Sequence, residues 1–150
     1  FTWEDTQAFV DQIRNGPAHG LHIFLHDNTA HAVYATNYLM RVMDVMITKP
    51  SELAFYPIPI IFNERVGGHE MWGAIRGAEL GNGTVEARSI PHTLQAIDLL
   101  TQDTDLLSMY CDCIVKNKSI GVYDGGYKCV ELATGKKFER KNLGSTVVGV

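Results

Sequence analysis

Hydrophobic positions along the chain fall into helical and strand periods that predict most of its elements. Thr2-Trp3-Glu4-Asp5 has the form of a capping box, Phe9 and Ile13 follow one turn apart, and Asn15-Gly16-Pro17 stops the helix. Leu21, Ile23 and Leu25 then alternate with His22, Phe24 and His26, the period of a strand that puts His22 and His26 on one face. Asp27, Asn28 and Thr29 are all good N-cap residues. Behind them Ala32, Ala35, Leu39, Val42, Met43 and Met46 recur at helical spacing up to about Thr48.

Leu53 to Phe62 is rich in strand formers but carries Pro57 and Pro59, whose missing N–H groups lie on one side and predict an edge strand. Val66 to Thr84 holds six glycines together with His69, Glu70, Trp72 and Arg76. Gly73, Gly77 and Gly81, spaced by four, fit a closely packed short helix, while the same glycines also fit a mobile loop. Val85 to Ile90 predicts a strand, and Pro91 opens a helix with Leu94, Ile97 and Leu100 that breaks at Thr101-Gln102-Asp103-Thr104. A further helix carries Leu106, Met109, Tyr110 and Cys113. Beyond it, Ser119–Asp124, Tyr127–Leu132, Lys136–Arg140 and Ser145–Val150 predict an antiparallel β-meander, with Asp124-Gly125-Gly126 and Thr134-Gly135 as turns. The expected fold is therefore α+β: one domain over residues 1–150, a mixed sheet with flanking helices and a C-terminal antiparallel β-meander.

Composition changes this picture little. A chain of 150 residues, 45% hydrophobic and 20% charged, is the size of one core-forming domain. The formal charge of -4 gives no whole-molecule case for nucleic acid or an anionic membrane. Its distribution is uneven: residues 1–100 carry eleven Asp/Glu against six Lys/Arg, whereas Lys116 to Lys141 holds seven basic residues against three acidic ones. Three cysteines, Cys111, Cys113 and Cys129, form neither a CxxC pair nor an even set, so reduced thiols and a cytoplasmic setting are the default. Two formal sequons, at Asn82 and Asn117, would matter only in a secreted protein. No stretch is long and apolar enough to span a bilayer, and Phe1 in place of an initiator Met fits a processed or excised segment.

The chemistry concentrates in histidines. Four of six, His19, His22, His26 and His31, fall within thirteen residues around the strand-to-helix junction. Imidazole titrates near neutrality and ligates metals when neutral. His22 and His26, held by Asp27, are the candidate acid/base pair, and the helix start at Asn28 and Thr29 would offer N–H groups to an anionic ligand. His69 and Glu70 would approach from the glycine-rich segment as a lid, or simply begin a helix. His22, His26 and His31 are also a candidate set for Zn²⁺ or Mn²⁺, although their spacing matches no metal signature; surface or core histidines are the alternative. A Cys111 or Cys113 nucleophile with His69 has an acceptable chain order, but cysteines at such apolar positions are usually packing residues. Neither G-x-x-x-x-G-K-[ST] nor a strand-linked G-x-G-x-x-G occurs. Lys136, Lys137 and Arg140, interleaved with Tyr123, Tyr127 and Phe138, would suit single-stranded nucleic acid or merely a solvated sheet face.

These residues predict a small hydrolase or lyase acting on an anionic small molecule or nucleotide, with or without a divalent metal. Two alternatives stand beside it: a non-catalytic nucleotide or nucleic-acid binding domain, and a homo-oligomeric assembly subunit built through the Met-rich helix and the edge strand.

Overall fold

A computed structural model describes residues 2–17, 19–102 and 104–137. The chain combines helices with a small parallel sheet and divides into two compact units, Phe1–Met43 and Asp44–Val150. In the first, α1 (Trp3–Arg14) begins at the expected capping box: Asp5 N–H donates to Thr2 Oγ1 at 3.2 Å, and Thr2 N–H donates to Asp5 Oδ2 at 3.0 Å. Leu21–His26 is not a strand. An extended segment gains little without a ladder partner for its backbone groups, and residues 21–26 are paired with no strand among the described residues. α2 (Thr29–Leu39) starts at the expected N-cap, Asn28, but ends a full seven residues before Met46 rather than running to Thr48.

The reason for that early end lies in the second unit. Val45 to Thr48 is rich in β-branched residues, and Met46–Thr48 forms β1, which pairs in parallel with β2 (Ile60–Phe62) in the register Met46↔Ile60, Ile47↔Ile61 and Thr48↔Phe62. Pairing thus overrides a helical period that the sequence carries equally well. On its other side β2 makes parallel bridges, Ile60↔Gly83 and Asn63↔Ala87, through Ile60 N–H to Asn82 O (2.7 Å), Thr84 N–H to Ile60 O (3.0 Å) and Ala87 N–H to Phe62 O (2.7 Å).

Two expectations change here. The Leu53–Phe62 run is a 3₁₀ turn over Glu52–Phe55 followed by a central strand, not an edge strand: both prolines precede the paired stretch, so their missing N–H groups cost the ladder nothing. Val85–Ile90 contributes only one bridge, at Ala87, and the pairing among described residues is parallel, so the expected mixed sheet is not present there.

β2 leads through a 3₁₀ turn (Gly68–Glu70) into α3 (Met71–Leu80), which settles the glycine-rich segment as helix. The Phe62 ring, fully buried, occupies a slot that exists because Gly77 and Gly83 lack side chains. A Cβ at Gly77 would lie 2.5 Å from Phe62 Cε2, and one at Gly83 2.4 Å. Asn82, also fully buried, donates through Nδ2 to Tyr56 O (3.2 Å) and Ile58 O (3.0 Å), which fastens the approach to β2 onto the end of α3. Its burial also removes the first sequon from the folded surface.

α4 (Ile90–Gln102) and α5 (Thr104–Ser119) cover the sheet. Ile61, Ala96 and Leu100 form a buried cluster with Val45, Ile97, Leu106 and Tyr110 around it. The C-terminal meander is overturned. α5 runs through Ser119, and Gly125–Thr134 is a helix, α6, closed by Gly135 N–H donating to Glu131 O at 2.9 Å. The six residues Tyr127–Leu132 are too few to separate the two periods. Lys128 and Glu131, one turn apart and 3.0 Å between charged atoms, fit the helix. Residues 138–150, which include Arg140 and the last expected strand, lie outside the described residues.

The slot around Phe62 makes a direct prediction. Gly77→Ala will destabilise the protein by roughly 1–3 kcal/mol, the usual cost of overpacking, measured as a lower denaturant midpoint. Adding Phe62→Leu will recover part of that loss.

Candidate functional site

Parallel strands point their carboxyl ends the same way, and ligands of open parallel sheets gather outside those ends. At the end of β1 the chain continues into Lys49, Pro50 and Ser51, and Ser51 Oγ accepts from Leu53 N–H to start the 3₁₀ turn. A cavity of about 610 Å³ opens between this turn and α3. Ser51, Phe55, His69, Trp72 and Arg76 line it, with Glu52, Glu70 and Glu79. Phe55 and Trp72 are 53% and 67% exposed, unusual for large aromatic side chains facing one concavity.

Glu70 fixes the wall. Its side chain is buried, and its carboxylate accepts from Val66 N–H (2.8 Å), Gly67 N–H (3.1 Å) and Lys49 Nζ (2.5 Å). The Lys49 ammonium, then the Gly67 and Val66 N–H groups, hold the carboxyl down at about 2, and the same contact raises the Lys49 ammonium above its ordinary value. The loop from Val66 to His69 is therefore tied by its own backbone to a buried anion, an arrangement that presents His69 from a held turn rather than from a swinging lid. Glu79 in turn accepts from Arg76 Nη1 at 3.0 Å. Two of the three lining carboxylates thus have cationic partners.

A second charged group sits where the next strands end. Glu86, almost buried, has Oε1 3.3 Å from Arg65 Nε, without hydrogen-bond geometry, and Oε2 3.6 Å from Arg88 Nη2. Thr93 Oγ1 donates to Asn63 Oδ1 at 3.3 Å.

The histidine cluster is placed differently. His22, His26, Asp27, Asn28, Thr29 and His31 are all exposed and belong to the first unit, whereas His69 and Glu70 belong to the second. His26 and His31 meet edge to face, ring centroids 6.2 Å apart and planes at 75°. Without the Leu21–His26 strand, the shared face of His22 and His26 has no backbone to impose it. Asn28 Oδ1 accepts from Ala30 N–H at 2.8 Å, so the cap itself occupies one of the donors expected for an anion. Among the described residues, no three His, Cys, Asp or Glu side chains come together as a metal ion would need. Lys136 and Lys137 are exposed after α6, and the cysteines are free thiols. No helix among the described residues is long and apolar enough to cross a membrane.

Sequence pattern alone does not single out Lys49, Ser51 and Phe55. The available signal is position: a Lys-Pro-Ser run directly after a β-branched stretch, with Trp72 and Arg76 one helical turn apart downstream. Residues 1–134 match the family described as Domain of unknown function (DUF6938), and the chain belongs to that family. No curated protein and no solved structure matches the chain.

The Glu70 contacts predict an acid limb of stability. A carboxyl whose folded pKa is lowered stabilises the fold above its ordinary value of 4.5 and loses that contribution as pH falls through about 2. The raised Lys49 adds the mirror limb, its contribution fading as pH rises above 10.5. Glu70→Gln will therefore lower the melting temperature across neutral pH, and the gap to the native chain will close as pH drops from 4.5 towards 2.

Proposed function

We propose that the Asp44–Val150 unit binds an anionic, ring-bearing small molecule of the nucleotide class in the cavity at the end of β1. One observation carries this reading: two exposed aromatic side chains, Phe55 and Trp72, share a concavity with Arg76 and His69 at the carboxyl end of a parallel strand. A planar ring stacks on the aromatic faces, and the anionic group meets Arg76, His69 and the nearby Lys49. Base stacking on an aromatic side chain is worth about 1–3 kcal/mol, enough to dominate the affinity of a small ligand. The Arg76 pair with Glu79 is solvent-exposed and therefore exchangeable at little cost.

Hydrolase or lyase chemistry on such a ligand would fall to His69, the imidazole that lines the cavity, as acid or base. His22 and His26, exposed on the other unit, have weaker support for that role.

Calorimetric titration with AMP, ADP and UMP tests the reading. Saturable binding is expected. Trp72→Ala should weaken it by about tenfold or more, and Arg76→Gln should both weaken it and flatten its salt dependence. Nucleotide affinity that is absent, or untouched by Trp72→Ala and Phe55→Ala, sinks the proposal.

A further inference from the structure

A second cavity, also of about 610 Å³, shares Ile75 and Glu79 with the first. Its character is different. Ile75, Ala78 and Val85 give it apolar walls, and Val85 is 68% exposed although it lines a concavity. Glu79 and Arg76 compensate each other at 3.0 Å. The remaining charged groups are Glu86 and Arg88, and they are not balanced, because Glu86 stands between two guanidinium groups: Arg65 at 3.3 Å and Arg88 at 3.6 Å. Glu86 has 9% of its side chain exposed, against 65% for Arg88. The largely buried carboxylate lies within ion-pair distance of Arg88, whose exposed guanidinium leaves donors open to solvent beside an apolar wall. Two cations on one anion leave a single positive charge at that end.

We propose that this cavity binds a small amphiphile, an alkyl chain carrying one carboxylate. The chain lies against Ile75, Ala78 and Val85, and the head meets Arg88. Charge complementarity selects the head: a monoanion neutralises the surplus left by Arg65, Glu86 and Arg88, and a carboxylate matches the planar fork of a guanidinium. Size selects the body, since a volume of this order accommodates a single small ligand. The aromatic platform of the nucleotide reading lies in the other cavity, but the two share Ile75 and Glu79, and the charge count here takes the Arg76–Glu79 pair as formed.

The probe is decanoate below its micellar concentration, with decanol as the uncharged control and vesicles containing an anionic phospholipid as the bilayer alternative. Isothermal titration should show saturable decanoate binding. Ala78→Trp and Val85→Glu, both at exposed positions, should each weaken it about tenfold or more by filling or charging the wall. Arg88→Gln should weaken decanoate about tenfold and leave decanol unchanged. The proposal fails if decanoate does not bind saturably, or if Ala78→Trp and Val85→Glu both leave its affinity intact. It fails equally if Arg88→Gln affects decanoate and decanol alike, or if only the vesicles bind. Titrating AMP against the same variants keeps this failure distinct from failure of the nucleotide site.

Discussion

The burial of β2 is the constraint on which the larger unit rests. Ile60, Ile61 and Phe62 are fully buried, so every backbone donor and acceptor of this short strand must find a protein partner. β1 supplies them on one side and the Asn82–Ala87 segment on the other. That requirement sets the order of everything else. It draws Met46–Thr48 out of a helical period and leaves Gly77 and Gly83 as the residues that can stand against Phe62. It also brings the ends of β1, β2 and the third segment out together, with Lys49, Arg65 and Arg88 beyond them.

How much of this was legible in the sequence depends on whether a residue's signal was local. The Thr2 capping box, the Asn28 cap and the helix opened near Pro91 are local, and each stands where the pattern places it. Gly73, Gly77 and Gly81 at four-residue spacing carried a true packing signal, because Gly77 meets Phe62. Leu21–His26 and Tyr127–Leu132 satisfy the strand period without forming strands, whereas Leu53–Phe62 ends in one, Ile60–Phe62. Short apolar runs satisfy the strand period, yet strand formation is decided by whether a partner lies alongside, which no run can state for itself.

The candidate site follows the same division. His69 and Glu70 are legible as chemistry-bearing residues in a glycine-rich segment, and both border the cavity, but Glu70 is buried and committed to Lys49, Val66 and Gly67. The pairing of Glu70 with Lys49 spans twenty-one residues and has no sequence signature. The clustering of His19, His22, His26 and His31 is local in the sequence, whereas burial and concavity are properties of the fold that no local run carries.

Asn82 carries a consequence for how the molecule ages. Asn-Gly is the dipeptide most inclined to cyclise, because a following glycine has no side chain to hinder its nitrogen from attacking the asparagine amide carbon. Here the Asn82 amide is held by Tyr56 O and Ile58 O, and Gly83 N–H donates to Gly77 O at 3.2 Å. The attacking nitrogen and its target are thus both engaged in the folded chain, and ring closure must wait for local opening. Conversion to aspartate or isoaspartate at this position would accumulate as a covalent record of the time spent unfolded.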